Sequence, residues 1–532
     1  MTDTQGRAAK GLGFLGRVVS LLALMTLLSR ILGIVRQRAI VQVYAGTPDL
    51  DAFFFSFGQV ELLRTILFSG ALSSVFIPVF ISIKEKQGHT EGIRTASNAI
   101  SALAVVAVAL SIVGWLSAPW IVRLLEVITP DQFPAGSFAL TVSLMREMFF
   151  LITFIGLSGV FVGVLNALDH FTMPAIAPLL FNITIITLVL VFGDRNNIHV
   201  VSLAFLAGAG AQMLFQVPVI IKHGIIPPLK INFFDPALKE IMKLAPAAMM
   251  GFVAMAANKM VGNSIALKLQ EGSLTALEIG FRVMQFPFAI FAVSVAQALF
   301  PTISRAVSEH DHDRLVSHVN RGVRLCLLLV LPSILGLAVV ADKVIAGIFL
   351  GGEYTAAEAL DATRAFSAYT WGVLPAGLVL LISRVFFAHK DTMRPFLAGL
   401  ATVVANYFLA LYLSSPDRLG FVGIAVTYSA VFWLNFIILY VLLKKHIAGY
   451  DYRSQARYWL GALVSAVVQI LCGQWLVARF AAGPAEGIIA NLTLAAVWGG
   501  LSILIYLAVF SLFRVPEISL GIDRLKGAFC RK

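Results

Sequence analysis

The sequence predicts an all-α polytopic membrane protein, and three observations carry that prediction. Of its 532 residues, 59% are hydrophobic and 13% charged, against about 45–50% and about 25% in soluble domains. Too few polar residues remain to coat a water-facing globule of this size. The apolar residues run in continuous stretches, whereas an outer-membrane barrel alternates apolar with polar. At roughly 20 apolar residues per span, 59% of 532 residues leaves material for about 14 or 15 transmembrane helices, and the mean hydropathy of +0.89 agrees. A soluble enzyme, a disordered chain and a disulfide scaffold are excluded. Cys326, Cys472 and Cys530 lie far apart and suggest neither a disulfide framework nor a zinc site. The formal net charge of +12 is read as basic loops on one membrane face, with no nucleic acid as partner.

The elements follow in order. The apolar run Val18 to Leu28 comes after Arg7, Lys10 and Arg17, in the manner of a signal peptide. No small-residue cleavage pattern follows it, however, and apolar character resumes as far as Tyr44. One long helix is therefore expected over 17–44. Further spans are expected at 50–82, 96–118, 139–167, 174–193, 199–221, 238–267, 274–304, 322–342, 364–388, 395–414, 419–443, 456–479 and 487–513. An even count puts both termini on one side. Of the 40 Lys and Arg, 25 then fall on the terminal side, 7 on the other and 8 inside spans. That bias places both termini in the cytoplasm. No Walker-type GxxxxGK(S/T) is present, so no built-in ATPase is expected. The charged run Glu309-His310-Asp311-His312-Asp313 is expected to be a solvated turn rather than a metal site. Pro236 to Lys243 is expected to form a short interfacial amphipathic helix.

An internal repeat organises these spans. Asn166-Ala-Leu-Asp-His-Phe-Thr-Met-Pro174, with Asn182 following, echoes Phe387-Ala-His-Lys-Asp-Thr-Met-Arg-Pro395, with Asn406 following. Val75-Phe76-Ile77-Pro78 echoes Ala298-Leu299-Phe300-Pro301 at nearly the same offset. Six helices per repeat give two lobes of parallel topology, related by an axis along the membrane normal, with a substrate site between them. The expected organisation is an N-lobe over 1–225 (helices 1–6), a C-lobe over 226–450 (helices 7–12), and a C-terminal helical hairpin with a cytoplasmic tail over 451–532.

Charges at hydrocarbon depth point to function. Helix 1 carries Arg30, Arg36 and Arg38; helix 2 carries Glu61 and Arg64, with Asp51 near its start; helix 4 carries Arg146 and Glu147; helix 7 carries Lys259; helix 8 carries Glu278 and Arg282; helix 10 carries Arg384. An Arg at a helix centre costs about 2.5–3.5 kcal/mol on insertion scales. Arg30, Arg36, Arg64 and Arg282 left unpaired in lipid would therefore cost roughly 10–14 kcal/mol, so they are expected to line a wet cavity. Simpler roles fit the others: Arg38 and Arg384 snorkel, and Glu61 pairs with Arg64 at i,i+3. Guanidinium groups bind phosphate bidentately and stay charged, so a cavity lined by them favours a phosphate or diphosphate. A membrane-embedded glycosyltransferase would offer catalytic carboxylates or a large outer loop, and neither is present; no catalytic residue or metal site is expected.

The residues resemble a known family. Leu28-Ser29-Arg30-Ile-Leu-Gly33-Ile-Val-Arg36, then Asp51-Ala52-Phe53-Phe54, Leu62-Leu63-Arg64, Gly70-Ala71 and Phe76-Ile77-Pro78 are similar to the opening of the bacterial lipid II flippases, the MurJ or MviN family. So are Leu165-Asn166-Ala167 with Pro174-Ala175 and Pro178, Ile231-Asn232-Phe233, and Arg282-Val-Met-Gln-Phe286-Pro287 leading to Leu299-Phe300-Pro301. That family belongs to the multidrug/oligosaccharidyl-lipid/polysaccharide exporter superfamily. The resemblance implies fourteen helices in two lobes around a cationic cavity, with the last two helices grooved for a polyprenyl tail. It implies a transporter, not an enzyme, in the bacterial inner membrane. Its substrate would be undecaprenyl-diphosphate-linked disaccharide-pentapeptide (lipid II), moved to the outer leaflet for peptidoglycan synthesis. Membrane lipids and other cell-wall synthesis proteins are the further partners implied.

The resemblance carries substrate-binding roles onto Arg30, Arg36, Arg64 and Arg282, onto Asp51 at the start of helix 2, and onto Thr275 as a small hydroxyl residue. Gln37, Ser69, Phe281 and Gln285 stand where some members have acidic residues, which weakens any ion-pair gate built from them. The apolar interiors of helices 7 and 11 hold no carboxylate, so no sodium site and no cofactor are expected; coupling to an ion or to the membrane potential is left open. The alternative reading is an exporter of another polyprenyl-linked glycan, or of small molecules as in the MATE transporters.

Overall fold

The computed structural model describes residues 24–68, 83, 86–128, 137–168, 170, 172–226, 231–236, 238–239, 257–444, 447, 452–480 and 487–518. Among these the protein is helical throughout, with two isolated bridges, Asp194–Asn197 and Gly351–Tyr354, closing short turns. Eleven helical stretches are long and apolar enough to cross a membrane. They coincide with eleven of the fourteen predicted spans. The remaining three, 17–44, 50–82 and 238–267, each run beyond the described residues; of them, 24–44, Pro48–Phe68 and 257–266 are described as helix. The interfacial helix expected at Pro236–Lys243 lies largely outside the described residues.

Close contacts divide the chain into two compact units, residues 1–271 and 272–532. In the first unit, α1 (24–44) ends at Tyr44, whose hydroxyl donates to Asn197 O and accepts from Asp194 N, each at 3.2 Å. Thr47 then caps the turn through Tyr44 O (2.7 Å). α2 (Pro48–Phe68) opens with Pro48, and Asp49 and Asp51 sit in its first turn, where a missing N–H costs nothing and negative charge meets the positive helix end. α3 (His89–Ile128) is 40 residues, about 60 Å at 1.5 Å per residue. α4 (Ser137–Phe149) and α5 (Leu151–Ala167) form one span broken at Phe150. α6 (Thr172–Phe192) and α7 (His199–Lys222) pack as an antiparallel pair. α2 lies against α4, and α5 against both α3 and α7. α8 spans 257–266.

The second unit centres on α14 (Ala356–Ala388), which packs on α9 (Ser273–Pro287), α10 (Val293–Ser308), α13 (Ala341–Phe349) and α16 (Val422–Leu443). α11 (His312–Leu325) and α12 (Leu331–Val339) form one crossing, and α15 (Met393–Leu413) pairs with α16. The C-terminal hairpin, α17 (Tyr452–Phe480) and α18 (Ile488–Ser511), rests on α12 and α13. Hydrophobicity does not hold helices together in lipid, so close backbone approach must. At Gly280 in α9, a Cβ would lie 2.8 Å from Phe366 N and 3.1 Å from Ala362 O of α14.

Two single turns of π-helix interrupt these rods. Phe288–Ala292 follows Pro287, and Cys326–Val330 precedes Pro332. Each turn adjusts the backbone hydrogen bonding beside a residue that has no N–H to give.

α14 and α11 begin earlier than the hydropathy suggests, each behind a side-chain cap. α14 starts at Ala356 because Thr355 and Glu358 form a capping box, with Thr355 N donating to Glu358 Oε2 (2.7 Å) and Glu358 N to Thr355 Oγ1 (3.3 Å). α11 starts at His312 because Asp311 caps it, accepting from Arg314 N (3.0 Å). Its buried Leu315, Val319, Gly322 and Val323 lie on one face. The charged run before it is a turn, with His310 at φ 55° and Arg314 paired to Glu309 (3.1 Å).

Candidate functional site

The arginines that sequence reading singles out have unlike surroundings. Arg36 is 7% exposed. Its Nη1 donates to Asn182 Oδ1 of α6 at 2.9 Å. Its guanidinium carbon lies 5.1 Å from the Phe205 ring centroid and 5.5 Å from that of Phe181, a desolvated cation–π arrangement. Asn182 in turn donates to Pro178 O (3.0 Å) and, back on α1, to Ser29 O (3.4 Å). Arg36 thus fastens α1 to α6. Arg30, less than two turns earlier on α1, is exposed, and among the described residues it makes no hydrogen bond or ion pair.

On α2, Arg64 is half-buried and paired with Glu61 one turn before it. Nε donates to Oε2 at 2.6 Å and Nη2 to Oε1, the i,i+3 pairing anticipated from the sequence. Asp51 is 5% exposed in the first turn of the same helix. On α1, Gln37 is buried with its Nε2 unsatisfied among the described residues. Ser69 lies outside the described residues.

On α9, Thr275 and Glu278 are buried at 3% and 4% exposure. Arg282, two turns beyond Thr275, is half-buried. Its buried Nε has no hydrogen-bond partner, and no ion pair is formed among the described residues. Phe281 turns the other way, edge-on to Tyr369 (5.6 Å) and Tyr428 (5.5 Å); Gln285 is exposed. Among the described residues, Arg30 in the first unit and Arg282 in the second are therefore without protein partners, while Arg36 and Arg64 are engaged by their neighbours. Arg384 stacks on Phe300 at 5.2 Å, and its buried Nε is unsatisfied among the described residues. Lys259 is half-buried on α8.

Two polar clusters escape sequence reading because their members are far apart in the chain. Glu147, at the end of α4, accepts from Ser202 Oγ and lies 2.6 Å from His199 Nδ1 at the start of α7. Its neighbour Arg146 turns instead to Trp115, donating to its carbonyl (3.3 Å) and lying 5.0 Å from its ring centroid. In the second unit, Arg324 grips Glu517 bidentately, with Nε 3.0 Å from both carboxylate oxygens and Nη2 2.8 Å from Oε1. That contact ties the segment after α18 back to α11.

The lipid II flippase MurJ family model matches residues 45–483. The chain belongs to the lipid II flippase MurJ family. A lipid II flippase MurJ of Burkholderia cenocepacia is 28% identical over 464 residues, covering 86% of this chain and 89% of the relative. A probable lipid II flippase MurJ of Vibrio cholerae is 28% identical over 506 residues, covering 92% and 94%. Among solved structures, a lipid II flippase MurJ in an inward closed conformation shares the fold with a TM-score of 0.72 at 24% identity, covering 92% of this chain and 98% of that one. An inward-facing MATE multidrug transporter of the MOP superfamily has a TM-score of 0.64 at 14% identity, covering 80% and 96%. MurJ membership therefore rests on a match that includes α2 with Arg64 and Asp51 and α9 with Arg282 and Thr275, while Arg30 and Arg36 lie N-terminal to it.

Proposed function

We propose that the chain flips lipid II from the cytoplasmic to the periplasmic leaflet of the bacterial inner membrane, with both termini cytoplasmic. Family membership over 45–483 supports the substrate, and the 25-to-7 distribution of basic residues supports the orientation. The observation that carries the chemistry is that Arg30 and Arg282 alone of the four arginines lack protein partners among the described residues. A permanently charged planar group without a carboxylate is suited to bidentate capture of a diphosphate.

In this reading Arg30 and Arg282 supply the guanidinium groups that bind the diphosphate in a cationic cavity. Arg36 adds positive field while holding the neutral Asn182, whereas the charge of Arg64 is balanced by Glu61. The lobes alternate in access, the headgroup crosses through the cavity, and the polyprenyl tail stays in lipid or against the α17–α18 hairpin. An inside-negative potential assists, since moving one charge across 100 mV is worth about 2.3 kcal/mol.

The test is complementation in cells depleted of their own lipid II flippase. Arg30→Ala and Arg282→Ala should each abolish delivery of lipid II to the outer leaflet while the protein remains inserted and monodisperse after purification. Full delivery by both variants overturns the reading.

A further inference from the structure

Seven basic residues sort to the side opposite the termini, and two of them, Arg364 and Arg418, lie together in the second unit. They line a groove of about 570 Å³ between the first half of α14 and the start of α16, within the 300–1,000 Å³ or so typical of ligand sites. At its polar end the guanidinium groups are joined by the hydroxyls of Thr363 and Ser367. Two turns along α14, about 10 Å away, the lining becomes Trp371, Val422 and Val426. Among the described residues no carboxylate lines it.

The neighbours leave both cations able to accept an anion. Arg364 Nη1 reaches Asp361 Oδ1 at 3.2 Å, a water-exposed i,i+3 contact of the weak kind. Arg418 stacks on Tyr412, its guanidinium carbon 3.2 Å from the ring centroid, which uses the face of the group and spares its edge donors. Trp371 is 63% exposed and Tyr412 59%; large aromatics presented this way beside arginines mark the depth of the headgroup layer. Trp433 Nε1 donates to Trp371 O at 3.0 Å, which fixes α16 against α14 at the apolar end.

We propose that this groove binds one anionic phospholipid of the outer leaflet, its phosphate held by Arg364 and Arg418 and the top of an acyl chain laid along Trp371, Val422 and Val426. A soluble anion would have no use for the apolar half, and a neutral lipid none for the paired arginines. The site is separate from Arg30 and Arg282, and its occupancy does not depend on the flippase reading.

The test is native mass spectrometry of the full chain released from detergent containing either phosphatidylglycerol or phosphatidylcholine at equal, low excess. Wild type should retain one phosphatidylglycerol in preference to phosphatidylcholine. Arg364→Gln with Arg418→Gln should lower that retention about tenfold or more, since each basic residue near a lipid surface contributes roughly a fivefold preference. Val426→Trp, which fills the apolar half and leaves both arginines in place, should do the same. Thermal unfolding of each variant checks that the fold persists. Equal retention of the two lipids, or unchanged retention in either folded variant, overturns the assignment. So does displacement of the lipid by millimolar inorganic phosphate, which would mark a site for the free anion.

Discussion

The contact of Arg36 with Asn182 permits a sharp test of what a buried arginine does in this fold. In Asn182→Ala the guanidinium keeps its charge and its 7% exposure but loses the acceptor at 2.9 Å. A hydrogen bond to a charged group is worth about 1.5–3 kcal/mol. The carboxamide's own donations to Pro178 O and Ser29 O add roughly 0.6 kcal/mol each at values measured in membranes. The single variant should therefore be destabilised by about 3 kcal/mol. Arg36→Met removes the cation–π contacts with Phe181 and Phe205, worth about 2 kcal/mol when desolvated, but it also removes a buried charge that is costly to hold. The double variant then lacks both the donor and its missing acceptor, so the two effects should fall short of additive by about 1.5–3 kcal/mol. Unfolding of purified protein in mixed micelles, followed by tryptophan fluorescence across the four-member cycle, measures this directly. Additivity within about 0.5 kcal/mol would show that Asn182 does not hold Arg36, and the assignment of Arg36 to fastening α1 on α6 would fail.

Other outcomes follow from the same geometry. Gly280→Ala places a methyl 2.8 Å from Phe366 N and should cost about 1–3 kcal/mol, seen as a lower thermal midpoint; an unchanged midpoint would mean that α9 and α14 separate freely. Glu517→Gln breaks the bidentate grip on Arg324. Because this pair is part-buried, removing one partner costs less than the roughly 3–5 kcal/mol of a fully buried pair, and tryptic cleavage after Arg514 should accelerate severalfold; equal rates would show that this contact does not secure the C-terminal segment. Glu147→Gln should weaken the link from α4 to α7 at His199 and Ser202, and amide exchange at the start of α7 should rise; unchanged exchange would assign that order to packing alone.

Much of this architecture is legible in the chain because a long apolar run bounded by basic loops has few alternatives in a membrane. The limits are as informative as the matches. The capping box at Thr355 and Glu358 and the cap at Asp311 were written in the sequence, but hydropathy hides them, since both lie in polar stretches that resemble loops. The short α13 begins where a span was expected to end, and its nine residues are too few to register as a crossing of their own. Within the candidate site, the Glu61–Arg64 pair could be read from i,i+3 spacing alone. The hold of Asn182 on Arg36 could not, because 146 residues separate them; the only trace was the placement of Asn182 beside the repeated Pro motif, mirrored at Asn406, which is also buried.

The π turn after Pro287 has a mechanical meaning for Arg282. A rod with one locally widened coil bends there at lower cost than along its regular length, so the helix bearing Arg282 and the stretch beyond the joint need not share one axis.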